Sequence, residues 1–207
     1  MQLSEKAYHL IKHKIVTLEL APLSVIDPKA LGEELGVGRT PVREALHRLA
    51  GEGLVMVVPR RGTFVAEISI TDLQKIFEMR MALEGFCARL AAQRITAEQI
   101  AGMETVIQEM IQMPDGDSKE LMAIDERFHE LMYQAADNEF LADSLRRLHA
   151  QSFRLWYLAL DRLSSVRGAM EQHIEIAEAL KMGDGARAET LMQQHIEEFQ
   201  QKIKAVL

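Results

Sequence analysis

The sequence predicts a mainly α-helical protein in two parts: three short helices with a small β-hairpin, followed by an all-helical bundle. Three observations carry this expectation. Apolar residues recur at three- and four-residue spacing through most of the 207-residue chain. A single pair of β-branched-rich runs, Leu54 to Val58 and Thr63 to Ala66, flanks the turn Pro59-Arg60-Arg61-Gly62. From Thr71 onward, helix start and stop signals follow one another with no alternating pattern between them. A hydrophobic content of 48% with 27% charged residues fits an ordinary globular protein.

In the first part, Ser4 is expected to cap a helix running to about Leu20, with Tyr8, Ile11, Ile15 and Leu18 on its apolar face. Asp27 offers an N-cap with Pro28 at the first helical position of a second helix. Its buried stripe is expected to be Ala30, Leu31 and Leu35, and Gly36 stops it. A third helix would bury Val42, Ala45, Leu46 and Leu49, leave Arg39, Arg43, His47 and Arg48 outside, and close at Gly51 and Gly53. Pro41 fits only a first turn, because a helix interior would lose a hydrogen bond and clash. Gly38 therefore reads as the cap.

In the second part, Thr71-Asp-Leu-Gln74 and Thr96-Ala-Glu-Gln99 both fit a capping box. Breaks at Met113 to Asp117, Asp137-Asn138, Ser164-Ser165 and Gly183 to Gly185 divide the remainder into about six helices. The expected domains are residues 1–68 and 69–207, joined by a short linker at Glu67 to Thr71. No run approaches the roughly 20 apolar residues that span a bilayer, and the N-terminus has no signal-peptide pattern. The lone cysteine, Cys87, cannot form an internal disulfide and reads as core packing. These features predict a cytoplasmic protein with no membrane partner.

The formal net charge of −7 argues against a nucleic-acid partner until its distribution is considered. Residues 1–68 carry nine Lys/Arg against eight Asp/Glu, whereas residues 69–207 carry 15 against 23. Between Gly36 and Phe64, five arginines face two acids. A local basic surface thus exists within an acidic protein. A helix reads base edges through a first turn inserted in the major groove, where Arg donors form bidentate bonds to guanine. Arg39, Thr40 and Arg43 occupy that turn. Helix spacing and scattered arginines alone would equally describe a solvated face.

The run Val37-Gly-Arg-Thr-Pro-Val-Arg-Glu-Ala-Leu46, followed by Leu49, Glu52-Gly-Leu-Val55 and Arg61-Gly-Thr-Phe-Val65, resembles the GntR family of bacterial regulators across the whole first domain. The resemblance implies a winged helix-turn-helix in which Arg39, Thr40 and Arg43 contact DNA and Lys29 touches its backbone. Gly62, beside Arg61, would let the wing enter the minor groove. Two departures stand out: Gly38 replaces the usual Ser or Thr cap, which removes a hydroxyl contact to phosphate, and Ala21-Pro22-Leu23 replaces the usual Pro-Gly.

Asp125 and His129 lie four apart on one predicted helix, and His173 and His195 lie on two later ones. Three imidazoles and a carboxylate suit a divalent transition metal, zinc ahead of nickel, manganese or iron, and not calcium or magnesium. Each histidine alone would read as a surface or hydrogen-bonded residue. Asp125-Glu-Arg-Phe-His129 with His173 and His195 resembles the metal-binding FCD ligand domain of the FadR subfamily in its six-helix form, over roughly residues 72–204. That resemblance implies a metal at the base of a cavity with positions open to the carboxylate of a small organic acid. It also implies that Arg80 lines the cavity; an i,i+4 ion pair with Glu84 is the alternative. The family further implies a homodimer on a two-fold symmetric double-stranded operator, released by effector as a repressor.

Other histidines read plainly. His9 and His13 fit a solvated face, His47 is placed to graze phosphate, and His149 reads as a polar residue on its helix and not as a ligand. The twelve methionines fit packing. A metal hydrolase or lyase is disfavoured, because Tyr133 stands where a zinc-protease helix would place its second His and no nucleophile elbow, P-loop or dinucleotide fingerprint is present. The chain therefore reads as no enzyme. A direct metal sensor, in which the ion is itself the signal, is the other reading.

Overall fold

The computed structural model describes residues 2–114, 118–162 and 167–206. They fall into two compact units: residues up to Thr71 together with Ala150–Leu158, and Asp72–His149 together with the described residues from Ala159 onward.

The first unit opens with helix α1 (Leu3–Val16), then strand β1 (Val25–Ile26), helices α2 (Pro28–Leu35) and α3 (Arg39–Gly51), and strands β2 (Val55–Val58) and β3 (Gly62–Val65). The strands form an antiparallel sheet ordered β1-β3-β2, with Val25 opposite Phe64 and Val58 opposite Gly62. Ala7, Ile11 and Ile15 of α1 and Val42, Ala45, Leu46 and Leu49 of α3 are buried where these helices pack together. At the far end of that contact Glu52 accepts from Tyr8 Oη at 2.8 Å and from Lys12 Nζ at 3.2 Å. From the later chain, Gln151 donates to the Gly53 carbonyl at 3.1 Å and buried Arg154 donates to that of Ala66.

Several local expectations hold. Asp27 caps α2 by accepting from the Lys29 amide at 2.8 Å, with Pro28 at the first position and Gly36 left-handed at the end. Gly38 precedes α3, so Pro41 falls in the first turn. Others are corrected. The first helix starts at Leu3 after Gln2, so Ser4 lies inside it and forms no cap. It ends at Val16, with Thr17 as its C-cap, because Leu18 takes φ +61°, which no right-handed helix continues. In α2 the buried residues are Leu31 and Gly32, whereas Ala30 is exposed. A Cβ on Gly32 would lie 2.9 Å from the Val37 carbonyl, so glycine lets the α2–α3 turn close onto the helix. Strand β1 went unpredicted because two residues carry no periodicity.

The later chain contains six α-helices among the described residues: α4 (Leu73–Arg94), α5 (Ala97–Gln112), α6 (Ser118–Ala135), α7 (Glu139–Ala159), α8 (Arg167–Lys181) and α9 (Gly185–Val206), and all but Ala150–Leu158 of α7 belongs to the second unit. Of the expected break at Met113 to Asp117, α5 ends before Met113 as expected and residues 115–117 lie outside the described residues, as does the expected break at Ser164-Ser165. The second capping box forms, with Thr96 and Gln99 serving each other's amides. The first does not. Residues Ile70–Asp72 make a 3-10 turn, α4 starts at Leu73, and the Gln74 amide instead bonds Glu78 while its oxygen accepts from Gln200 at 3.0 Å. Long-range polar partners thus outweighed the local motif. Helix α4 packs along α9, where the Phe77 and Phe199 rings lie 5.5 Å apart and both are buried. Each such aromatic burial stabilises by roughly 1.5–3 kcal/mol. Cys87 is fully buried in this core.

Candidate functional site

Two sites emerge, one open to solvent and one sealed. The open one is the first turn of α3 with the β2–β3 turn. Arg39, Thr40 and Arg43 are exposed, as are Arg61, Gly62 and, on α2, Lys29. Arg60 takes φ +63° and Gly62 φ +117°, so the turn needs left-handed backbone at two of its positions, and glycine supplies the second without a Cβ clash. Arg48, expected on the same outward face, turns the other way. It pairs with Glu5 at 2.9 Å and lies 3.7 Å from the centre of the Tyr8 ring, which commits it to holding α1 against α3.

The sealed site lies inside the helical bundle. Asp125 and His129 project from α6, His173 from α8 and His195 from α9, each 1–3% exposed. One ligand atom from each lies within 4.8 Å of all the others. Asp125 Oδ1 is 3.3 Å from His173 Nε2 and 3.7 Å from His129 Nε2. Both Asp125 Oδ1 and His129 Nε2 are buried without a hydrogen-bond partner. Buried polar atoms normally have partners, and leaving one unpaired costs about 1–3 kcal/mol. Convergent orphan atoms of Asp/His type therefore fit a bound divalent cation of the transition series. Burial would raise the Asp125 pKa, but His129, followed by His149 and His173, holds it well below the usual carboxylate range. Burial, reinforced by His173 and His129, pushes the His195 pKa well down, leaving that ring neutral as a metal ligand must be.

Around the four stand groups that the sequence reading placed elsewhere. His149 of α7 is buried with Nε2 3.5 Å from Asp125 Oδ2 and its ring 4.9 Å from that of His129. Glu84 is fully buried on α4, with Oε2 2.7 Å from His129 Nδ1 and Oε1 2.5 Å from Arg80 Nε. Gln172 Oε1 lies 3.1 Å from His195 Nδ1. Arg80 and Glu84 do form the i,i+4 pair weighed for them, but in the interior.

Sequence comparison supplies the family. Residues 3–65 match "Bacterial regulatory proteins, gntR family", and residues 75–198 match the FCD domain. The HTH-type transcriptional repressor RspR of Escherichia coli (strain K12) is 30% identical over 204 residues, 98% of this chain and 90% of that protein. The chain belongs to the GntR family. A probable D-xylose utilization operon transcriptional repressor of Paenarthrobacter nicotinovorans is 31% identical over 168 residues, 80% of this chain and 73% of that protein. Among solved structures, E. coli McbR/YncC shares the fold with a TM-score of 0.82 at 24% identity, covering 97% of this chain and 98% of that one.

This GntR-family chain is a DNA-binding transcriptional regulator with an FCD domain, and its relatives are regulators and not enzymes. Among the described residues no helix is long and apolar enough to cross a membrane. What single-sequence reading missed, Glu84 and His149, had faint signals. Glu84 sits at i+4 from Arg80 in an otherwise apolar stretch, and His149 interrupts the apolar face of α7.

Proposed function

We propose that this protein is a cytoplasmic repressor that grips a two-fold symmetric double-stranded operator as a homodimer. A small organic acid, bound at a divalent transition metal inside the bundle, releases it. In this reading residues 1–68 read DNA and residues 69–207 hold metal and effector. Arg39, Thr40 and Arg43 reach base edges, Lys29 and Arg61 neutralise phosphates, and Gly62 lets the wing approach the minor groove. Asp125, His129, His173 and His195 hold the metal, zinc ahead of nickel, manganese or iron. When bound, that ion would supply a Lewis-acid anchor for a carboxylate. Arg80 is the buried cation nearest Glu84 and would meet the acid's charge.

The observation that carries this reading is the convergence of four buried ligand atoms within 4.8 Å, two of them unpartnered. Repression is supported by the names of the relatives from E. coli and P. nicotinovorans. The coupling would be a linkage effect, in which effector binds the operator-free arrangement more tightly than the operator-bound one.

A second reading is favoured by one feature. The crevice beside Asp125 and His173, walled by Val106, Ile107, Met110, Ile124 and Phe128, leaves essentially no free volume. Pockets for organic ligands usually hold about 300–1,000 Å³. A metal ion alone would suffice to fill such a place and could itself be the signal. Titration of operator binding separates the two. Release by an organic acid only in the presence of zinc supports the metabolite reading, release by zinc alone supports the sensor, and a purified protein without metal by elemental mass spectrometry rejects both.

A further inference from the structure

Helix α4 contributes none of the four candidate ligands, yet it places two opposite charges in the bundle's interior. Arg80 is 2% exposed and Glu84 is fully buried. On a surface, such an i,i+4 pair would stabilise by only about 0.3–0.5 kcal/mol. Inside, desolvation of both ions can exceed their mutual attraction. Helix stability is therefore a poor reason for this pair to be where it is. Its geometry suggests a different one.

Glu84 uses its two oxygens in two directions. Oε1 meets Arg80 Nε at 2.5 Å, and Oε2 lies 2.7 Å from His129 Nδ1. The other ring nitrogen, His129 Nε2, is the one facing Asp125 Oδ1, at 3.7 Å. An imidazole held through Nδ1–H by a carboxylate keeps its Nε2 lone pair free for a cation, in a fixed orientation and with raised basicity. His195 offers an internal contrast, since its Nδ1 meets the neutral amide oxygen of Gln172 at 3.1 Å. An ionised oxygen at 2.7 Å attracts a ring N–H more strongly than a neutral amide oxygen at 3.1 Å, so the Glu84–His129 contact acts as an ion pair.

We propose that Glu84 is the positioning residue that sets the affinity of the metal centre, by fixing His129 with Nε2 toward the ion, and that Arg80 is the counter-ion that lets Glu84 occupy the interior. This rests on the metal reading above and adds to it an outer residue from a helix that holds no ligand. Burial alone would raise the Glu84 pKa, but Arg80, followed by His129, holds it well below the ordinary value, in keeping with a carboxylate that serves both partners.

The test uses the full-length protein and Zn²⁺ as the probe, with affinity measured by competition against a chromogenic chelator. Glu84→Gln keeps the shape and an acceptor oxygen and leaves all four ligands in place. One ion per chain should still bind, with a dissociation constant raised roughly 10- to 100-fold. The absorption bands of the Co²⁺-loaded variant should shift, because the His129 ligand field changes. A role in packing alone would lower the melting temperature of metal-free protein and leave Zn²⁺ affinity and the Co²⁺ bands untouched. If Glu84→Gln fails to fold, Arg80→Gln combined with Glu84→Gln removes both charges and gives the same readouts. Unchanged affinity in the soluble variant overturns the assignment of Glu84 alone. A wild-type protein that binds no Zn²⁺ overturns the metal reading along with it.

Discussion

Arg43 on α3 and Arg80 on α4 carry the same charge into opposite surroundings. Arg43 is exposed in the first unit, beside Arg39 and Thr40, where its guanidinium is left to solvent. Arg80 is 2% exposed in the second unit and paired at 2.5 Å with a carboxylate that faces a histidine. The surface proposed to face DNA is made of charges left in water, so it costs folding little. The bundle centre is made of groups already desolvated, in which Arg80 and Glu84 are committed to each other, so the removal of either is felt through the unit.

This difference is sharpest in stability. Arg80→Met should lower the unfolding free energy of the bundle by about 3–5 kcal/mol, because Glu84 is left buried without its cation. Arg43→Met should change it by no more than about 0.5 kcal/mol. Urea unfolding followed by far-ultraviolet circular dichroism would test both, and equal effects would erase the distinction between the sites. Metal removal comes next in size. At a Zn²⁺ concentration 100 times the dissociation constant, loading should stabilise the protein by about 2.7 kcal/mol. That increment should vanish in His173→Ala, and an identical zinc-induced rise in melting temperature in this variant would remove His173 from the ligand set.

How far each region was legible follows from where its information resides. In the first unit, Asp27-Pro28, Gly38 and Pro41 act on backbone atoms within three residues, so sequence alone placed α2 and α3. Its misreadings were also local: Leu18 ended α1 early, and Gly32 was packed because a carbonyl approached it. In the second unit, Asp125 and His129 were legible as an i,i+4 pair on one helix. Glu84 and His149 were not, because α4 and α7 meet α6 only after the bundle forms. The i,i+4 rule that paired Arg80 with Glu84 could not say whether the pair faced water. Burial decides that, and burial belongs to the tertiary fold.

For the exposed site the expected losses lie in binding. Arg43→Ala should weaken operator binding by about 1–3 kcal/mol and relax base preference, while binding to random DNA changes less. Fluorescence anisotropy with operator and scrambled duplexes in the same salt would measure this. Equal losses on both would reduce Arg43 to a phosphate contact and shift base reading to Arg39 and Thr40.

The smallest effect probes how that helix is held. Asp27 Oδ1 accepts from the Lys29 amide at 2.8 Å, which fixes the start of α2 and, through the Gly32–Val37 turn, the entry to α3. Asp27→Ala should cost about 1 kcal/mol of stability, and Asp27→Ser should recover most of it, since a hydroxyl can cap the same amide. Neither change alters a group at the sealed site, so Zn²⁺ affinity should be the same in both variants as in wild type. A shift in zinc affinity on Asp27→Ala would mean that the two regions are energetically coupled even without DNA or effector, and the contrast between Arg43 and Arg80 would then describe two ends of one network.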